Sequence, residues 1–199
     1  MRVGVEVATI AEAELPDAIG TLARGMRDNP LHVAAFGDDP DHRVASLTQM
    51  FGAIMPMQPE PLRASADGTV VGVCGFGPPP DCVVHTLGDL PADQFPPVFE
   101  NAGEQGRVVK WLQTWGKRDP DEPHFHLGPI AADAGKQGQG IGSALMQAFC
   151  DRVDRDRALA YLETDKAANV KFYEKFGFET VAEAPVIGVT NWFMHRAAS

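Results

Sequence analysis

The chain has 199 residues, 44% of them apolar and 22% charged, with a formal net charge of −10 at neutral pH. That length suffices for a full hydrophobic core in a single domain spanning 1–199, and the acidic balance argues against generic nucleic-acid binding, which needs basic stripes. No apolar run approaches the roughly 20 residues that cross a bilayer, Met1–Val7 lacks the apolar core and cleavage site of a signal peptide, and Cys74, Cys82 and Cys150 are odd in number with no CxxC spacing. We therefore expect a cytoplasmic protein with reduced structural thiols, no membrane association and no zinc site.

Val3–Ala8 alternates as a strand should. Leu15, Ile19, Leu22 and Met26 recur at helical spacing behind Pro16; Asp28-Asn29-Pro30 is expected to stop that helix, and 31–40 reads as loop. A second helix is expected over Asp41–Ile54, and the prolines of Met55–Pro61 break regular structure. Ala66-Asp67-Gly68 reads as a turn between strands, the second being the β-branched run Thr69–Phe76, which Gly77-Pro78-Pro79-Pro80 ends. The proline- and acid-rich segment Asp81–Pro97 has no legible pattern. Val98–Trp115 reads as a helix, and Pro120 and Pro123 bracket a surface loop. The periodicity then sharpens: a strand at Phe125–Ala132, a helix at Gln139–Val153, a strand at Ala158–Glu163, a short helix at Ala168–Phe176 closed by Gly177, and an antiparallel hairpin of Phe178–Ala182 with Val189–Met194. This order suggests an α+β domain or a mixed sheet.

The stretch carrying most chemical information is Gln137-Gly138-Gln139-Gly140-Ile141-Gly142, between a strand and a helix. Glycines remove the Cβ atoms that would hold a ligand off the backbone, and the unpaired N–H groups of the helix start favour phosphate. A P-loop would need lysine after its last glycine, and Ser143 stands there. A dinucleotide fingerprint is a fairer rival, with Gly138, Gly140 and Ser143 followed by Glu163 at the end of the next strand. Against it, Asp133–Lys136 separates the glycines from the strand, and only 164–199 remain for further βα units.

The same six residues match [QR]xxGx[GA] at every fixed position, and Asn169-Val170-Lys171-Phe172-Tyr173-Glu174-Lys175-Phe176-Gly177-Phe178 matches N-x-x-[FA]-Y-x-x-x-G-F. In these two linked motifs the chain resembles the GNAT superfamily of N-acetyltransferases. Leu162-Glu163-Thr164, Phe172–Glu174 and Asn191–Arg196 further resemble its puromycin N-acetyltransferase branch. The likeness is clear over about 124–196 and weak over 31–123. It implies an α+β GNAT fold: a mixed central sheet of about six or seven strands, the fourth and fifth splayed, with flanking helices. It also implies an N-acetyltransferase that moves acetyl from acetyl-CoA, without a metal, to the amine of a small molecule, a toxin or antibiotic among the candidates. Transfer would be direct, through a tetrahedral intermediate. Acetylation of protein N-termini or lysines, and a CoA-binding sensor without turnover, stand as alternatives; homodimers are frequent in such families.

Carried over residue by residue, the resemblance places the pantetheine arm against the backbone at Ile130 and Ala132. It places the pyrophosphate at Gln137, Gly138, Gly140, Ile141, Gly142 and Ser143, and Asn169 on the CoA arm unless it is a plain helix cap. Tyr173 is the expected acid for the leaving thiolate, a phenol of pKa about 10 being protonated at neutral pH; otherwise it is a packed aromatic. Glu163 is the expected base, directly or through water, with His126, beside His124 on the neighbouring strand, as the other candidate. Deprotonation of the amine in bulk water would need neither. The acceptor pocket is expected from 27–43, 77–97 and the terminal hairpin, with Phe36, Trp111, Trp115 and Trp192 as candidate walls and Asp38, Asp39 and Asp41 as candidate attractors of a cation.

Overall fold

A computed structural model describes residues 4–80 and 82–198. Seven strands form one sheet: β1 Glu6–Thr9, β2 Leu62–Ala66, β3 Thr69–Gly77, β4 His124–Ala132, β5 Leu159–Thr164, β6 Glu179–Val186 and β7 Val189–Arg196, in the order β1-β2-β3-β4-β5-β7-β6. All neighbours are antiparallel except β4 and β5, which run parallel through three residue pairs, from His124↔Leu159 to His126↔Tyr161. The fold is thus the mixed GNAT sheet with its fourth and fifth strands diverging. The first expected strand residue, Val3, lies outside the described residues.

The helices are α1 Leu15–Met26, α2 Pro30–Phe36, α3 Pro40–Ile54, α4 Val83–Asp89, α5 Ala102–Gly116, α6 Ile141–Asp156 and α7 Ala167–Glu174. Strand alternation sorts the core onto two faces of the sheet. Leu22, Leu47, Phe51, Val108 and Trp111 of α1, α3 and α5 cluster with Val73, Tyr161 and Phe193 on one face. Leu145 and Phe149 of α6 and Tyr173 of α7 cluster with Phe76, Phe125 and Leu162 on the other. None of the helices among the described residues is long and apolar enough to cross a membrane.

Three expectations need correction. The first helix ends at Met26, ahead of Asp28-Asn29-Pro30 as expected, but 30–36 are a helix and not loop, because Pro30 opens α2 at the first helical position, where its missing N–H costs nothing; Leu31, His32, Ala35 and Phe36 are buried, and Gly37 ends the turn at φ +85°. The patternless segment contains α4, whose start is Cys82. Finally, α5 begins at 102 and not 98, because the Asn101 side chain accepts the N–H groups of Gly103 and Glu104, while Gln105 Oε1 accepts those of Val98 and Phe99.

Candidate active site

After Asp133 a short 3-10 turn, Ala134–Lys136, leads into the glycine loop. Gly138 and Gly140 hold φ of +76° and +90°, a region that side chains with a Cβ rarely enter, and Gly140 is the N-cap of α6 with no side-chain cap. The first helical bond runs from Ala144 N–H to Gly140 O. The N–H groups of Ile141, Gly142 and Ser143 therefore have no intrahelical acceptor and open onto the loop. The Ile141 side chain is core, so only its backbone faces the loop. Gln137 is tied back by its side-chain amide to Gly25 O at 3.1 Å.

From Leu127 onward β4 pairs only with β3, and from Leu162 onward β5 pairs only with β7. The facing backbone edges are left open between them, with Ile130 and Ala132 on the β4 side. A cavity of about 160 Å³ that opens to solvent lies at this gap. Ile130, Asn169, Tyr173, Glu163 and His126 all reach it, and its remaining walls are mostly apolar, among them Met50, Phe51, Leu87, Trp111 and Trp115. Asn29, Leu31 and His32 at the start of α2 and Cys82, Val83, Val84 and Leu87 at α4 line the cavity, within the two segments expected from the sequence. The terminal hairpin does not; α3 and α5 take its place. Phe36 packs on Phe99, Trp192 packs on the opposite face of the sheet, and Asp39 is spent capping α3.

Asn169 is the third residue of α7, whose N-cap is Lys166, so its side chain is not spent on capping. Tyr173 is buried, and burial pushes its phenol above the ordinary value, helped by Cys74 and Asp165 nearby. Glu163 is 1% exposed at its side chain. Its Oε2 accepts from His126 Nε2 at 3.0 Å, while its Oε1 is buried and takes no hydrogen bond from the described residues.

His126 continues into a cluster that pattern reading missed. Its Nδ1 lies 2.8 Å from Asp119 Oδ1 and 3.2 Å from Cys82 Sγ. His124, two residues earlier on the same strand face, places Nε2 3.3 Å from Asp119 Oδ2, and both rings stack edge-on against Tyr161. Burial alone would depress both histidines. Glu163 and Asp119 more than offset this at His126 and hold it charged well above the usual range, and Asp119 and Cys82 raise His124 to about 9. Asp119 in turn is pulled well below the carboxylate range by the two rings despite its burial. Asp119 follows a helix and precedes Pro120, a context that reads as surface loop; only the His124-x-His126 alternation hinted at a shared face.

The model for the Acetyltransferase (GNAT) family matches residues 31–178. Solved structures share the fold over nearly the whole chain. A protein described as histone acetyltransferase HPA2 and related acetyltransferase, from Corynebacterium glutamicum, is 19% identical over 98% of this chain and 97% of its own, with a TM-score of 0.70. The polyamine N acetyltransferase of Drosophila melanogaster is 14% identical over 98% and 100%, TM-score 0.68, and arylalkylamine N-acetyltransferase 2 of Aedes aegypti 16% identical over 98% and 100%, TM-score 0.65. With its family match spanning most of the sequence and its sheet opening at β4 and β5, this chain belongs to the GNAT family of acetyltransferases, which use acetyl-CoA.

Proposed function

We propose that the chain transfers acetyl from acetyl-CoA to the primary amine of a small, largely apolar molecule. The observation that carries this reading is the meeting of Glu163 and Tyr173 in the lining of one cavity at the β4–β5 gap, with Glu163 Oε1 free of any hydrogen bond among the described residues. The backbone N–H groups at 138–143 and the positive end of α6 would hold the pyrophosphate, a helix terminus contributing on the order of 0.3–2 kcal/mol. The open edge at Ile130 and Ala132 would pair with the pantetheine amides, with Asn169 on the same arm. Acetyl-CoA supplies the activated thioester.

Glu163 Oε1 is the lone pair that takes the amine proton, while His126, donating from Nε2 to Oε2, fixes the carboxylate; His126 is a positioning residue. A backbone N–H of the divergent β4 stabilises the oxyanion. The N–C bond forms first and gives the tetrahedral oxyanion; as that intermediate collapses the C–S bond breaks, and Tyr173 gives its phenolic proton to the departing sulfur. The apolar walls with Trp111 and Trp115 favour an aromatic or alkyl amine over a long polar peptide. Structural neighbours named for polyamines and arylalkylamines support the amine class, and the resemblance at 162–164 and 191–196 adds puromycin to the candidates.

The test is calorimetric titration with acetyl-CoA and with NAD, followed by thiol release across a panel of arylalkylamines, polyamines, agmatine, puromycin and a peptide N-terminus. Micromolar acetyl-CoA affinity without NAD binding, and turnover favouring an apolar amine, is the expected result. NAD binding alone overturns the reading, and peptide-only turnover overturns the acceptor class.

A further inference from the structure

Four potential metal ligands from three separate stretches meet beside the cavity: Cys82 at the start of α4, Asp119 between α5 and β4, and His124 and His126 on one face of β4. All four residues are buried, and their Sγ, carboxylate and ring-nitrogen atoms lie within 4.8 Å of one another. We propose that Cys82 Sγ, Asp119, His124 Nε2 and His126 Nδ1 form a closed tetrahedral site for a zinc-class divalent cation.

The donor set and its spacing suit such an ion. Zinc takes thiolate at about 2.3 Å and nitrogen or oxygen at about 2.0–2.2 Å, which puts tetrahedral ligands roughly 3.3–3.7 Å apart. Cys82 Sγ to His126 Nδ1 is 3.2 Å and His124 Nε2 to Asp119 Oδ2 is 3.3 Å, at or just below the short end of that range, and the 2.8 Å contact of His126 Nδ1 with Asp119 Oδ1 would lengthen as an ion replaces it. His124 Nε2 and Asp119 Oδ2 are buried and face each other at ion-pair distance, with His85 Nδ1 3.5 Å from the same Asp119 oxygen, yet none of the three forms a hydrogen bond among the described residues. Buried polar atoms that face one another without a formed hydrogen bond are what a cation would satisfy.

The outer partners agree. His124 Nδ1 lies 2.8 Å from the Glu122 carbonyl oxygen and donates to it, leaving Nε2 as the nitrogen an ion would take. His126 Nε2 donates to Glu163, leaving Nδ1 as the nitrogen an ion would take. Each ring thus has its second nitrogen fixed by an acceptor, the arrangement that sets the tautomer of metal-bound imidazole. One thiolate and one carboxylate neutralise a divalent charge, and binding releases the thiol proton together with the proton that each imidazolium ring carries when no ion is bound. With four protein ligands no open position remains, so the ion is structural. It would pin the α4 wall of the cavity and the α5–β4 connection to the strand that carries His126, and so hold Glu163 in place.

Metal content settles the matter. Tag-free protein is assayed for bound metal, then stripped and titrated with Zn(II) and Co(II). One zinc per chain is expected, and the cobalt form is expected to show tetrahedral visible bands with a thiolate charge-transfer band that Cys82→Ser abolishes. Zinc-edge absorption spectroscopy of the unmutated protein is expected to give one sulfur at about 2.3 Å and lighter ligands at about 2.0–2.2 Å, so the outcome does not depend on the variant folding. Background metal with no cobalt bands, or a shell without sulfur, overturns the site and leaves a hydrogen-bonded cluster of charges. Neither readout involves acetyl transfer, so the two proposals fail separately.

Discussion

Tyr173 and Glu163 face the same cavity from α7 and β5, but their surroundings suit opposite tasks. The phenol is packed against Phe172 and Phe178, and burial favours its neutral form, which is what a proton donor needs. Tyr173→Phe keeps the ring and removes only the proton. It is therefore expected to lower kcat by about 100-fold or more while the KM for acetyl-CoA changes only a few-fold; steady-state kinetics check this, and a defect confined to KM would reduce Tyr173 to a binding group. At this scale the sequence was legible where the residues lie within one local motif. Tyr173 and Asn169 lie within one short helix, and Gly138 and Gly140 within one turn. Asp119 and Cys82 were not legible, because 37 positions separate them from each other and only the folded sheet brings them to His126. Nothing near Asp119 in sequence marks it as a carboxylate with no exposed side-chain surface.

Elements long enough to repeat their pattern were read well, and short ones were not. The helices α1, α3 and α6 each show several turns of one-faced burial, whereas α2 and α4 have seven residues each, too few for a period to emerge. The α4 helix owes its place to a contact that sequence does not advertise. Gly88 meets Gly116 of α5, and a Cβ on Gly116 would overlap the Gly88 backbone. Gly116→Ala must push α4 away from α5, and overpacking of this kind costs about 1–3 kcal/mol. Thermal unfolding should fall by roughly 2–10 °C in a chain of this size, and amine KM should rise because Leu87 moves with the wall. The turn into α6 makes a sharper demand. Gly140→Asp sets a carboxylate where phosphate is expected, and like charges at 4 Å repel by about 4 kcal/mol at a protein surface. Calorimetry should show acetyl-CoA binding weakened by about 100-fold or more. Gly140→Asn, which tolerates positive φ without the charge, should retain much more affinity; equal loss in both would assign the effect to backbone strain.

On the scale of the whole molecule, the sheet divides two cores, and each holds one of the two tyrosines in the chain. Tyr161 lies with the α1, α3 and α5 core, its hydroxyl donating to Arg118 O at 2.9 Å, and Tyr173 lies with the α6 and α7 core. Burial raises both phenols above the ordinary value of about 10, with Glu163 and Asp119 adding to the effect at Tyr161. Their titration therefore reports on both faces at once. Because the folded state favours the neutral phenols, their contribution to stability is fully present below pH 10. It is lost as pH rises above 10 toward the folded values, where the unfolded chain ionises and the folded one does not. Phenolate absorbance of the native protein at pH 10.5 is expected to be near zero, while protein in denaturant shows more than half ionisation. Tyr173→Phe is expected to leave the remaining tyrosine equally silent. If one phenol ionises freely near pH 10 in the native protein, the core on that side of the sheet admits water; retention or loss of that signal in the variant tells which side.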